Sequence, residues 1–143
     1  MKKIYLDNCA FNRPYDDQTK LKIYLETQSK LEIQMEILNG NYNLVWSYML
    51  EYENNANPYM YKKNRIAEWK EIAKENIEAT DDLKALAKKI QSKGIGKKDS
   101  IHIACALKAN VDYFITTDTQ LLKKDIKGLK IINPLDYIKK EEE

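Results

Sequence analysis

Histidine and cysteine are scarce in this chain: one histidine, His102, and two cysteines, Cys9 and Cys105, stand among 143 residues. Neither cysteine has the CxxC or CxxxH spacing of a structural zinc site, so zinc does not organise the fold. Both lie in apolar contexts and read as buried thiols, because nothing marks the chain for an oxidising compartment where a disulfide would persist. No segment approaches the roughly 18 to 20 continuous apolar residues of a membrane span, and the start MKKIYLDNCAF lacks the apolar stretch of a secretory signal. A soluble, cytoplasmic protein is expected. An excess of one charge is missing too, since 24 Lys and Arg face 22 Asp and Glu for a net charge of +2. That balance excludes a protein whose whole surface attracts nucleic acid. Any affinity for phosphate must be local, and Lys84 to Lys98, with six lysines and no acid, is the one such run. The same run also reads as a solvated helix face.

With 43% hydrophobic residues, the chain has apolar material for one core, and residues 1–143 are expected to form a single domain. Lys3-Ile4-Tyr5-Leu6 is a short β-favouring run that stops at Asp7-Asn8. Leu21, Tyr24, Leu25, Gln28, Leu31, Met35 and Leu38 then recur at helical spacing until Asn39-Gly40, predicting a long amphipathic helix. Asn43 to Trp46 predicts a second strand, and Ser47 is suited to cap a helix carrying Tyr48 through Glu53. Asn57-Pro58 predicts a helix start, with Ile66, Trp69, Ile72 and Ala73 on one face and an end near Asn76; Ile77 to Thr80 reads as a minor strand or simply extended. Asp81-Asp82 open a helix with the face Leu83, Leu86, Ala87 and Ile90, and from Asp99 a nearly all-apolar helix runs to Asn110. Tyr113 to Thr116 is the next strand, ending at Thr117-Asp118 before a short helix at Leu121-Leu122. Ile131-Ile132 is the last strand, Asn133-Pro134 caps a final helix, and Lys139 to Glu143 reads as a frayed tail. Strands separated by helices imply βαβ crossovers, so the expected fold is α/β: a three-layer α/β/α sandwich with a mainly parallel central sheet.

Parallel sheets bind ligands beyond the carboxyl ends of their strands, and here two strands deliver an aspartate to that edge, Asp7 and Asp118. Asp99, at the start of a buried helix, and Glu53, after strand two, reach the same edge if their helices begin there. Crowded carboxylates raise one another's pKa unless a cation sits among them. An all-oxygen set suits a hard ion, Mg²⁺ or Mn²⁺, and such ions serve phosphodiester hydrolases. The structural alternative stands beside this one. Aspartate is a favoured N-cap, so Asp99 and Asp118 read singly as caps, whereas an acid closing a buried strand, as Asp7 does, has little structural use. Glu53 competes with Glu51. His102 reads as a hydrogen-bonded core residue, with general base as its functional alternative, and Thr116 and Thr117 as ordinary strand residues able to bond a carboxylate.

Three segments, Ile4-Tyr5-Leu6-Asp7, Lys98 to Ala106 and Tyr113 to Asp118, together resemble the PIN domain family, the metal-dependent ribonuclease fold that includes VapC-type toxins. The resemblance spans nearly the whole chain. It places Asp7, Asp99 and Asp118 on the family's first, third and fourth acidic positions, and Glu53, six residues after Ser47, on the second. Asn8 departs from the threonine or serine that often follows the first aspartate, and Asn12 to Gln18 looks like one subgroup of the family. What the resemblance implies is metal-dependent hydrolysis of single-stranded RNA, with Asp7, Glu53, Asp99 and Asp118 as catalytic metal ligands. It also implies the Lys84 to Lys98 run guiding the RNA backbone, a homodimer and, for a toxin, an antitoxin protein partner. A non-catalytic PIN-like module binding RNA or protein is the alternative. A phosphoryl-accepting domain of similar topology fits less well, since the acid that a haloacid-type phosphatase needs two residues after the first is Cys9 here.

Overall fold

Ile4, Tyr5 and Leu6 are completely enclosed in the structure, a computed structural model that describes residues 1–142. They form the inner part of β1 (Lys2–Leu6), the middle strand of a five-stranded sheet. On one side follow β2 (Tyr42–Ser47) and β3 (Glu75–Ile77), on the other β4 (Tyr113–Ile115) and β5 (Ile131–Ile132), giving the order β3-β2-β1-β4-β5. Every neighbouring pair is parallel. A parallel sheet must be covered on both faces, because its crossovers run over them. The helices do so, and the three-layer α/β/α sandwich expected from the sequence is what forms. The central strands accordingly read as apolar runs without alternation: Leu44, Val45 and Trp46, and Phe114 and Ile115, are at most 1% exposed.

Helices α1 (Asn8–Asn12), α2 (Leu21–Leu38), α3 (Tyr48–Asn55) and α4 (Met60–Ile72) lie in the first half of the chain. Helices α5 (Asp81–Gln91), α6 (Lys97–Lys108), α7 (Thr119–Leu122) and α8 (Pro134–Glu142) lie in the second. Caps mark most of their starts. Ser47 Oγ accepts from Leu50 N–H at 3.2 Å, Thr80 Oγ1 from Leu83 N–H at 3.2 Å and Asn133 Oδ1 from Leu135 N–H at 2.9 Å. Each satisfies one of the four amide donors that a helix start leaves open.

The structure departs from the sequence reading at four places. Asn57 Oδ1 accepts from Tyr59 N–H at 3.1 Å, closing an Asx turn that holds Pro58 outside α4, which begins at Met60. That helix ends at Ile72 rather than Asn76, because Lys74 N–H donates to Leu44 O at 2.9 Å and pulls the next residues into β3. The final helix runs through Lys139 to Glu142 and is tied by the ion pair of Glu141 with Lys2; Glu143, also in the expected tail, lies outside the described residues.

Helix α2 is the largest departure. Its apolar positions Leu21, Leu31, Met35 and Leu38 are exposed, while Glu26, Thr27, Lys30 and Gln34 are buried with Ile33 and Ile37. Local bonds explain half of this inversion. Arg13 Nε donates to Glu26 Oε1 at 3.0 Å, Asn133 donates to Glu26 Oε2, and Thr27 Oγ1 donates to Arg13 O at 3.2 Å. A buried acid is tolerated when it is paired and hydrogen-bonded in this way.

Candidate functional site

Strand order reverses direction at β1, whose neighbours β2 and β4 belong to opposite halves of the sheet, so a crevice opens beyond the carboxyl ends of β1 and β4. Asp7 follows β1, and its N–H donates to Ile115 O at 2.9 Å, locking the residue to the end of β4. Glu53 arrives on α3, which starts at the end of β2. Asp99 lies in the first turn of α6, and Asp118 follows β4. These four acids, far apart in the chain, line one crevice of about 330 Å³ together with Asn8, Cys9, Asn12 and Asp16. Glu51 is elsewhere: its carboxylate is paired with Lys70 Nζ at 2.7 Å.

Each acid is held differently. Asp7 is 5% exposed, and its Oδ1 accepts from Asn8 N–H at 2.8 Å while Oδ2 accepts from Thr116 Oγ1 at 2.9 Å. It therefore caps α1 as well as facing the crevice, a structural use that its position after a strand did not suggest. Asp118 caps α7 through Oδ1, which accepts from Gln120 N–H at 2.9 Å and Leu121 N–H at 3.3 Å. Its own N–H donates to Thr116 Oγ1 at 3.1 Å, so Thr116 links the two strand-end acids. Asp99 makes no cap. Burial, and then the charges of Asp7 and Asp118, hold its carboxyl above the usual aspartate range.

Glu53 is tied to His102 by a hydrogen bond to Nε2, and Asp7 Oδ1 lies 3.8 Å from the same nitrogen. On the far side of the ring, Nδ1 is 2.5 Å from Tyr5 Oη, which in turn is 2.6 Å from Ser47 Oγ. A buried chain of polar groups thus runs from the cap of α3 through β1 to α6 and the crevice. Burial opposes a charge on His102. The bond to Glu53, followed by the charges of Asp7, Glu53 and Asp99, overcomes it and raises the imidazole above its ordinary value. His102 is a hydrogen-bonded interior residue, as read from the sequence, but the partner it holds is a crevice acid.

Cys9 lines the crevice only half-buried, not buried as expected, while Cys105 is enclosed; both are free. Burial pushes each thiol up to about 12, with the charge of Asp7 adding at Cys9, so neither is a reactive thiolate. The sequence reading gave no role to Asn8, Asn12 or Asp16, which also face the crevice. The likeness of Asn12 to Gln18 to one subgroup of the family was the only signal for Asn12 and Asp16, and it does not say where those side chains point. Tyr5 was hidden in an apolar strand.

An acidic set of this composition fits a hard divalent cation: the donors are carboxylate and amide oxygens, and the raised carboxyl of Asp99 marks a place where positive charge is favoured. Among the described residues, however, no three His, Cys, Asp or Glu side chains converge tightly enough to form a metal-ligand group as they stand. Three of the four acids already hold protein partners: Glu53 is bonded to His102, Asp118 caps α7, and Asp7 caps α1 and accepts from Thr116.

No protein-family model matches the chain. No curated protein matches it either. Among solved structures, 92% of the chain matches 98% of a chain in the crystal structure of VapBC2 from Rickettsia felis bound to a DNA fragment from their promoter, with a TM-score of 0.56 and 14% identity. At that identity the likeness is one of fold.

Proposed function

We propose that the protein is a PIN-type endoribonuclease that hydrolyses single-stranded RNA with Mg²⁺ or Mn²⁺ held by Asp7, Glu53, Asp99 and Asp118. The observation that carries this reading is the meeting of four acids at one crevice beyond β1 and β4, the place where open α/β folds bind ligands. The fold likeness to a chain of a VapBC2 structure supports it. When bound, the metal supplies Lewis-acid polarisation of the phosphate and activation of water.

The protein's own groups do the rest. Asp7, fixed by Asn8 N–H and Thr116 Oγ1, holds its carboxylate in one orientation without reorganisation. Asp99, in the first turn of α6 and facing the crevice, would complete the oxygen set that holds the metal, and a bound cation would offset the burial and neighbouring charge that raise its carboxyl. Asn12 Nδ2 donates to Asn8 O at 3.0 Å and Asn8 Oδ1 at 3.2 Å, which leaves the Asn8 side-chain N–H groups to meet a phosphate at the crevice. The lysines of α5 and of the α6 start, Lys84 to Lys98, attract the RNA backbone. An antitoxin protein and a second copy of the chain are the proposed partners.

The bond between Glu53 and His102 favours a second reading, a non-catalytic RNA- or protein-binding module in which Glu53 serves structure. One experiment separates the two. Cleavage of a panel of single-stranded RNAs with Mn²⁺, abolished by EDTA and in Asp7→Asn and Asp99→Asn, supports the nuclease; binding without cleavage across the panel supports the module.

A further inference from the structure

Lys30 and Gln34 lie one turn apart on the inward side of α2, each only 5% exposed. Buried donors in proteins are almost always partnered. Among the described residues, Gln34 Nε2 has no hydrogen-bond partner and Lys30 takes part in no ion pair. The Lys30 ammonium lies over the ring of Phe11, 5.7 Å from its centroid. Burial with no compensating acid pushes its pKa down to about 7.

Both side chains line a pocket of about 470 Å³ between α2 and α4, whose walls include Phe11, Met35, Ile66 and Trp69. The other charged groups facing it, Arg65 and Glu68, are 3.9 Å from one another. Volume, apolar walls and a few convergent polar groups are the properties of a small-molecule site. Lys30 Nζ and Gln34 Nε2 are both donors, one of them cationic, and among the described residues no acid is ion-paired with Lys30 and no acceptor is bonded to Gln34 Nε2.

We propose that this pocket binds a small organic acid, its carboxylate seated on Lys30 Nζ and Gln34 Nε2 and its apolar body against Met35, Ile66 and Trp69. The site is separate from the acidic crevice and stands independently of the cleavage reading. A carboxylate on Lys30 would be a charge-assisted bond inside an apolar wall, stronger than the same contact in water.

Calorimetric titration with phenylbutyrate and its uncharged analogue phenylbutanol tests the proposal. The acid is expected to bind the wild-type protein on the order of tenfold more tightly than the alcohol. In Lys30→Met, which keeps the apolar stem, the alcohol still binds and the preference for the acid disappears. As a check that does not depend on a variant, spectra of lysine-labelled protein should show the Lys30 titration moving upward when phenylbutyrate is added. Equal binding of acid and alcohol, a preference that survives in Lys30→Met, or an unmoved Lys30 titration overturns it. Binding of a leucine-rich peptide bearing one glutamate through Lys30, with no binding of the free acids, also overturns it and gives the face to a protein partner.

Discussion

The crevice beyond β1 and β4 and the pocket between α2 and α4 both bury charge, but they treat it in opposite ways. At the crevice, acids in excess are individually anchored: Asp7 by Asn8 N–H and Thr116, Asp118 by the start of α7, and Glu53 by His102. At the pocket, the Lys30 cation is enclosed with no ion-pair partner among the described residues. The contrast separates two physical problems. Like charges held apart by local bonds can be stable and still present a field to a ligand, whereas an unpaired buried charge is a direct cost to folding.

The sharpest way to break the comparison is to remove charge from each region and watch different observables. Asp7→Asn should lower metal-dependent RNA cleavage by more than the roughly 10- to 100-fold that even the outer-shell partners of a metal site are worth. A single-turnover cleavage assay reads it, and retention of activity would exclude Asp7 from the chemistry.

Lys30→Met should do the reverse of an ordinary core mutation and stabilise the protein, by about 1 to 3 kcal/mol, because it exchanges a desolvated unpaired ammonium for a thioether. Urea unfolding checks the sign, and a lower midpoint at unchanged slope would show that Lys30 has a partner. By contrast, Tyr5→Phe should cost about 1 kcal/mol, since it cuts the polar chain between Ser47 and His102 while keeping the ring that stacks on Phe114.

The smallest effect expected is on the pH dependence of stability, where the two regions should give slopes of opposite sign. His102 titrates higher folded than its ordinary value of 6.5, so its contribution is present below that value and is lost as pH rises through the folded one. Lys30 titrates at about 7 folded against 10.5 ordinarily, so between those values the unfolded chain holds the extra proton and stability rises with pH. Unfolding free energies measured across this range for wild type and Lys30→Met should differ in slope above pH 7 and converge toward the lysine's ordinary value. Parallel curves would show that Lys30 is solvated.

Much of the crevice was legible from residue order. An apolar run that ends in an acid, as at Leu6-Asp7 and Ile115 to Asp118, combines two local signals, and parallel topology then sends both acids to the same edge. Glu53 over Glu51 was legible only through the interval from Ser47, and the reason became visible once Glu51 was found on Lys70. Helix α2 was misread because periodicity gives a helix's apolar face but not which face meets the core. The network of Arg13, Glu26 and Asn133, joining residues from three distant segments, accompanies the burial of the polar side instead. The stop of α4 was missed for a similar reason: Lys74 N–H pairs with a strand thirty residues earlier in sequence.

Sequence alone determined the alternation of strands and helices, the parallel sheet and the delivery of Asp7 and Asp118 to its carboxyl edge, because these follow from local hydrophobic pattern and the handed geometry of βαβ crossovers. Tertiary structure alone decided that His102 would grip Glu53, that Asp7 would cap a helix as well as face the crevice, and that Lys30 would be enclosed without an acid. Those outcomes depend on which distant side chains meet in three dimensions, and no periodicity along one strand or helix encodes the identity of its neighbour.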